Sequence, residues 1–298
     1  MSQTLFFPLP GNEVFAERLA SAVDGECGLL TLRDFPDGES YVRVDSDPAG
    51  RDVVLVATLR HPNDETLPLL FLADTVRDLG ATRVGLIAPY LAYMRQDTRF
   101  RDGEAITSRS YARLISGSVD WLLSVDPHLH RVKRLRELYA IPATAVHVAD
   151  EVGRWIAANV KSPLIIGPDQ ESRQWVEGVA AAACAPSIVL TKTRRGDADV
   201  IESALGIAEH RSRTPVLVDD IIATGQTMVT AIRHLREQGR VAPECVAVHA
   251  VFADGAYAAL KAAGAARVVT TNTISHPSNC IDVAPAVARE LLGQVVLV

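Results

Sequence analysis

Two adjacent carboxylates, Asp219 and Asp220, end the apolar run Val216-Leu217-Val218. A loop of small and polar residues, Ala223-Thr224-Gly225-Gln226-Thr227, opens shortly after them. The run reads as a buried strand, and helical spacing follows the loop. In α/β proteins the loop between the C-terminal end of a parallel strand and the next helix is where ligands bind. Gly225 permits backbone angles closed to other residues. Successive N–H groups can therefore curl around one phosphate, helped by the Thr224 and Thr227 hydroxyls and by the helix N-terminus. Asp219 and Asp220 are unsuited to phosphate and suit neighbouring hydroxyls or a metal ion. A ligand with a phosphate at one end and a diol at the other is a sugar phosphate. Taken alone, the acid pair and loop are equally an ordinary strand-to-helix turn.

A second chemical pattern is Lys192 and Arg194, two residues apart and directly after an apolar run. On a strand that spacing turns both side chains to one face. Two cations aimed at one place can neutralise the charge that grows on a transferring phosphoryl group. By itself the pair reads better as a basic device on an edge strand. No GxxxxGK[ST] segment is present, so no P-loop competes for the phosphate role.

The elements that must position these groups follow from the rest of the chain. It has 298 residues, 48% of them hydrophobic, enough for one large or two ordinary cores. Short apolar runs such as DVVLVAT, PLIIG and PVLVDD suit strands buried on both faces, and amphipathic stretches lie between them. This alternation predicts an α/β fold with mostly parallel sheets flanked by helices. Strands are predicted at 3–7, 29–33, 53–57, 83–88, 121–125, 144–147, 163–167, 187–191, 215–219, 245–251, 267–271 and 294–298. Helices are predicted at 12–26, 64–79, 106–117, 131–139, 150–160, 171–183, 227–238 and 256–263. The pattern runs twice, which predicts two similar domains, 1–145 and 146–298, with a site in the cleft between them.

The formal net charge of −6 argues against a nucleic-acid or anionic-membrane partner. Cys27, Cys184, Cys245 and Cys280 are widely spaced and form no CxxC, which points to a reducing, cytoplasmic setting without a zinc site. The N-terminus lacks a basic region and a signal-peptide apolar run, and no stretch of about 18 apolar residues occurs.

The strand followed by D-D-I-I-A-T-G-x-T resembles the phosphoribosyl-diphosphate signature of phosphoribosyltransferases and of ribose-phosphate diphosphokinase. Four further segments, in order, resemble the diphosphokinase family, nearer its archaeal-type branch. They are "LRDFPDGESYVRV", "LIAPYLAYMRQDTRFRDGEAITSRSYARLI", the pair "LLSVDPHLH" and "IIGPDQES", and "VLTKTRRGDADVIES". The resemblance implies two phosphoribosyltransferase-type domains. It also implies transfer of diphosphate from ATP to the anomeric hydroxyl of ribose 5-phosphate, giving 5-phosphoribosyl 1-diphosphate and AMP. Carried over residue by residue, it places ATP at Phe35, Asp37, Glu39, Arg95 and Gln96. Ribose 5-phosphate falls at Asp219, Asp220, Ala223, Thr224, Gly225, Gln226 and Thr227.

By the same resemblance Mg²⁺ is organised by His128 and Asp169, with Asp169 the better direct ligand because magnesium prefers oxygen. Lys192 and Arg194 become the catalytic pair of a flexible loop. A homo-oligomer is implied, with the segment 29–43 at a symmetric contact. The chain departs from the family at Thr98 and Phe100, at Gln170-Glu171-Ser172 where Gly-Gly is usual, and at Ala223 where an acid is common. A phosphoribosyltransferase, or a non-catalytic regulatory homologue of the diphosphokinase, are the rival functions.

Overall fold

The computed structural model describes residues 4–129, 131–170, 172–195, 198–202 and 209–295, with side chains described except at 191–202 and 294–295. It divides into two units, Met1–Val146 with Ala284–Val298, and His147–Val283.

The first unit opens with β1 (Leu5–Pro8), α1 (Glu13–Ala22), β2 (Glu26–Cys27) and the hairpin β3 (Leu30–Asp34) and β4 (Ser40–Val44). There follow β5 (Asp52–Val56), α2 (Pro62–Asp78), β6 (Arg83–Ala88), α3 (Thr107–Ser116), β7 (Trp121–Val125), a 3₁₀ turn at Leu135–Glu137 and β8 (Ala143–Val146). Its main sheet has the order β2-β1-β5-β6-β7-β8, every pair parallel.

The second unit runs α4 (Ala149–Asn159), β9 (Pro163–Gly167), α5 (Arg173–Ala182), β10 (Ser187–Val189) and the hairpin β11 (Thr191–Arg195) and β12 (Ala198–Glu202). Then come β13 (Thr214–Ile221), α6 (Gln226–Glu237), β14 (Glu244–His249), α7 (Ala256–Ala262), β15 (Arg267–Thr271) and β16 (Asn279–Ile281). The sheet order is β10-β9-β13-β14-β15-β16, again all parallel.

The two units share one plan. In each, the second strand lies at an edge, the chain then makes an antiparallel hairpin outside the main sheet, and the next strand pairs on the far side of the first. The central strands are buried on both faces, as Val53 to Val56 and Val216 to Val218 show, so they read as unbroken apolar runs rather than alternations. In the first unit Leu55, Leu72, Leu86 and Ile115 belong to one fully buried cluster under the sheet.

Three expectations from sequence change. The helix expected over 131–139 is a 3₁₀ turn of three residues, because Leu135 and Tyr139 are the buried anchors and the exposed Arg131, Lys133 and Arg134 before them offer no further apolar turn. The strand expected at 294–298 is instead the end of α8 (Ala284–Val295), and 296–298 lie outside the described residues. Ala284, Val287, Ala288 and Leu291 are buried at helical spacing, which overrides the β-rich ending. Finally, α8 packs against α1, β7 and β8 and so belongs with the first unit, although a split at 145/146 would leave it with the second.

Gly85 on β6 is where one Cβ would break this packing. It sits opposite Trp121 of β7, and an added Cβ would lie 2.0 Å from the indole ring. Trp121 is buried and has no room to retreat. Gly85→Ala is expected to lose about 1–3 kcal/mol through overpacking, seen as a lower urea midpoint by tryptophan fluorescence. An unchanged midpoint would refute the close approach.

Candidate active site

β13 carries Asp219 and Asp220 to the C-terminal edge of the second sheet, and β9, its parallel neighbour, delivers Asp169 to the same edge. Asp169 is fixed by its own turn, with the Ser172 amide donating to Oδ1 at 3.1 Å and the Ser172 hydroxyl to the Asp169 carbonyl at 2.8 Å. Burial pushes the Asp219 carboxyl well above the usual carboxylate range, and the charges of Asp220 and Asp169 push it further. Asp219 Oδ1 accepts the Asp220 amide at 3.0 Å, which opposes the rise without cancelling it.

The loop after these acids turns into α6 through Gly225, whose φ of +70° is a left-handed conformation that suits glycine. Its consequence is a set of open donors. Among the described residues, the amides of Thr224, Gly225, Thr227 and Met228 donate to no protein acceptor, while the Gln226 amide faces Thr224 Oγ1 at a long 3.5 Å. Thr224 and Gln226 are exposed and Thr227 half-exposed, while Gly225 and Met228 are buried. A helix N-terminus with this many unpaired amides attracts an anion.

The first unit provides an internal control. Gln226 begins its helix ten residues after Val216, the first residue of β13 paired with β14. Pro62 likewise begins α2 ten residues after Asp52, the first of β5 paired with β6. Counted this way, Leu55 and Val56 stand where Asp219 and Asp220 do, and His61 stands where Gly225 does. The first-unit loop is largely capped: Pro62 has no N–H, the His61 amide donates to Glu65 Oε2 at 2.8 Å, the Asp64 amide to the His61 carbonyl at 3.0 Å, and the Thr58 amide to buried Asn12 Oδ1 at 3.0 Å, which leaves the Asn63 amide without a protein acceptor among the described residues. One plan therefore carries an open, acid-flanked loop in one unit and a largely capped one in the other.

In the first unit the β3–β4 hairpin holds Phe35, Asp37 and Glu39 in one tight turn. The Phe35 amide donates to the Glu39 carbonyl at 2.7 Å, the Gly38 amide to the Phe35 carbonyl at 2.9 Å, and the Glu39 amide to Asp37 Oδ1 at 3.2 Å. All three side chains are exposed, and Arg33 stacks on the Phe35 and Tyr41 rings at 4.7 and 4.2 Å.

Arg95 and Gln96 follow β6, and His128 follows β7, at the C-terminal edge of the same sheet. Asp97, which sequence reasoning passed over, ties these two loops together. Arg131 Nη1 donates to Asp97 Oδ1 at 2.8 Å, and the Arg131 amide to Oδ2 at 3.2 Å. Burial alone would push Asp97 up, but these bonds and the adjacent guanidinium hold its carboxyl below the usual value. Nothing in the spacing of Asp97 and Arg131, 34 residues apart, signals the pair.

Lys192 and Arg194 both fall on β11, in register with Ile201 and Asp199 of β12. Their side chains lie outside the described residues.

The N-terminal domain of ribose phosphate pyrophosphokinase matches residues 4–118, and a phosphoribosyl transferase domain matches 135–288. A ribose-phosphate pyrophosphokinase of Methanopyrus kandleri is 36% identical over 91% of this chain and 93% of its own. The chain belongs to the ribose-phosphate pyrophosphokinase family. A second member, from Saccharolobus solfataricus, is 36% identical over 86% of this chain and 89% of its own. The fold agrees with a solved phosphoribosylpyrophosphate synthetase from Mycobacterium smegmatis, with a TM-score of 0.87 and 25% identity over all of both chains. Both units are thus of phosphoribosyltransferase type, as the family resemblance implies. A pyrophosphokinase N-terminal domain ahead of the second unit sets the chain apart from a lone phosphoribosyltransferase.

The raised Asp219 carboxyl has a consequence for the stability of the ligand-free protein. A carboxyl whose folded pKa lies above its unfolded value of 3.8 destabilises the fold once the pH exceeds 3.8, because the unfolded chain releases its proton more readily. Asp219→Asn is therefore expected to raise the thermal midpoint of the ligand-free protein at neutral pH. The gain should shrink as the pH falls toward 3.8. An Asn variant less stable than the parent at pH 7 would contradict this.

Proposed function

We propose that this chain moves the diphosphoryl group of ATP onto the anomeric hydroxyl of ribose 5-phosphate, releasing AMP, as its family name describes. The observation that carries the site assignment is the open amide loop beside two acids in the second unit, set against the largely capped loop of the first. The amides of Thr224, Gly225, Gln226 and Thr227 and the Thr224 and Thr227 hydroxyls receive the 5-phosphate, and Ala223 lets the backbone approach it. Asp219 and Asp220 take the ribose hydroxyls.

ATP is held by Phe35, Asp37, Glu39, Arg95 and Gln96. The exposed Phe35 ring is suited to stacking on a base, and arginine to the phosphate oxygens. Bringing two polyanions together costs Coulomb repulsion, and Lys192, Arg194 and Arg95 offset it. Such transfers are catalysed mainly by positioning and electrostatics.

Magnesium fits the acids of the second unit. Three carboxyls crowd one sheet edge, and the charge that lifts Asp219 is the charge a divalent cation compensates. Among the described residues no three His, Cys, Asp or Glu side chains form a complete ligand set. Such a site suits Mg²⁺, which keeps several waters and takes substrate phosphates as ligands. Asp169 would hold the ion or its water shell, and His128 its water shell. When bound, the ion supplies positive charge to the phosphate oxygens.

The protein works in the cytoplasm as a homo-oligomer whose 29–43 segment meets a second copy. Four cysteines with free thiols and the exposed Phe35 on that segment support this. Among the described residues no helix is long and apolar enough to cross a membrane.

An AMP-release assay with ATP, ribose 5-phosphate and Mg²⁺ tests the reaction, and absence of AMP would defeat it. Lys192→Ala is expected to lower kcat at least about 100-fold, the scale of one lost transition-state donor. A fall under about threefold with the fold intact would remove Lys192 from that role. Asp220→Ala is expected to raise KM for ribose 5-phosphate, and unchanged sugar binding by calorimetry would count against it.

A further inference from the structure

The ribose-phosphate loop does not stand by itself. The segment after β14 folds over its root, where the Phe252 amide donates to the Ile222 carbonyl at 2.8 Å and the Ala253 amide to the Ala223 carbonyl at 2.9 Å. The next helix, α7, then lies against the turn. A Cβ added at Gly225 would sit 3.6 Å from Leu260 Cγ and 3.7 Å from the Ala256 carbonyl oxygen. The carbonyls that fix the start of the loop, and the glycine that opens its amides, both rest on residues 252–260.

Phe252 makes these bonds in a strained conformation. Its φ is +30°, a region that bulky L-residues rarely adopt. Such strain persists only where the surroundings over-determine it. Here the surroundings are aromatic. The Phe252 ring, 6% exposed, meets the His276 ring at 4.7 Å and the Tyr257 ring at 5.4 Å, and His276 and Tyr257 meet each other at 4.9 Å.

His276 is in turn held from the other side. Its Nδ1 accepts the Ser278 amide at 3.1 Å and lies 2.7 Å from the Ser278 hydroxyl, while the His276 amide donates to Asn279 Oδ1 at 2.9 Å. Asn279 and Ser278 are bonded to Thr270 at the end of β15. A continuous set of contacts therefore runs from the β15–β16 connection through the imidazole to the strained Phe252 and into the loop.

We propose that His276 is a positioning residue for the ribose-phosphate loop, keeping Phe252 in its left-handed conformation so that the amides of 224–227 stay open and aligned. This rests on the sugar-phosphate reading of that loop. Toward Phe252 the contribution of His276 is the shape of its ring, which meets the Phe252 and Tyr257 rings, while its Nδ1 faces Ser278. Removing the ring lets Phe252 relax to an ordinary φ and withdraws two donors from the root of the loop.

The test is a series at this position in the full chain. His276→Ala is expected to raise KM for ribose 5-phosphate about three- to tenfold, the range set by losing aromatic pair contacts. KM for ATP should be unchanged. His276→Phe, which restores a ring, should recover most of the loss, and His276→Leu should not. A merely structural role would lower the fraction of active protein and leave both KM values alone.

Calorimetry with ribose 5-phosphate separates the failures. If the parent protein does not bind the sugar phosphate, the loop assignment itself is wrong. If the parent binds and the Ala variant binds equally well, or Phe and Leu behave alike, the positioning role of His276 is overturned. Should the Ala variant fail to fold, the Phe and Leu variants decide the matter on the same KM contrast.

Discussion

The second unit is organised around one unfavourable arrangement, a cluster of carboxyls at the end of parallel strands beside a ring of unpaired amides. Neither feature stabilises the ligand-free chain. The raised Asp219 carboxyl opposes folding at neutral pH, and unsatisfied helix N-terminal donors leave hydrogen bonds unmade. They persist because the strand beneath them is buried throughout, from Pro215 to Val218, and is paired in parallel on both sides. The apolar sheet fixes where the acids end. A ligand carrying phosphate and hydroxyls, as proposed for this loop, would satisfy both groups at once and turn that unfavourable arrangement into affinity.

The first unit shows what happens to the same geometry without that requirement. Val56 and Leu55 replace the acids, proline removes a donor, and Glu65 caps the amide that would otherwise point outward. The first-unit loop has the chemistry of a capped helix, in which the Asn63 amide, at the position of Thr227, is left without a protein acceptor among the described residues. The comparison removes the simplest objection to the site assignment, that any loop after a parallel strand in this fold exposes amides. The unit with Asp219 and Asp220 leaves the amides of Thr224, Gly225, Thr227 and Met228 unpaired among the described residues, whereas the His61 and Asp64 amides of the first unit are bonded and Pro62 has none.

Much of this was legible in the sequence because the signals are local. A buried strand ending in D-D, a small polar loop and a helical period follow from residue types within fifteen positions. The parallel sheets follow from apolar runs separated by amphipathic stretches. What the sequence withheld depends on distant partners. That α8 covers the first unit is decided by α1, at the other end of the chain. The Asp97–Arg131 clamp joins two loops that only the β6–β7 pairing brings together. The positive φ of Phe252 is invisible because nothing in a phenylalanine announces it; a glycine there would have. The short strand β16 and the β11–β12 pairing were missed for a related reason. Three- to five-residue strands carry too little period to separate them from loop.

The place where chemistry is inserted also has a physical reason. In both units the chain must travel from an edge strand past the first strand to reach the centre of the sheet, β2 to β5 in one and β10 to β13 in the other. A connection of that kind lies outside the parallel ladder, so residues added to it disturb no pairing. Each unit uses the opening for an antiparallel hairpin, whose strands pair with each other and not with the main sheet. One hairpin presents Phe35, Asp37 and Glu39, and the other carries Lys192 and Arg194. The sheet edge holds the acids and the loop proposed to bind phosphate, where fixed geometry favours binding. Of the groups assigned to nucleotide capture and charge neutralisation, Phe35, Asp37, Glu39, Lys192 and Arg194 sit on hairpins, while Arg95 and Gln96 follow β6 at the edge of the first sheet. The division between them follows from topology before any particular side chain is considered.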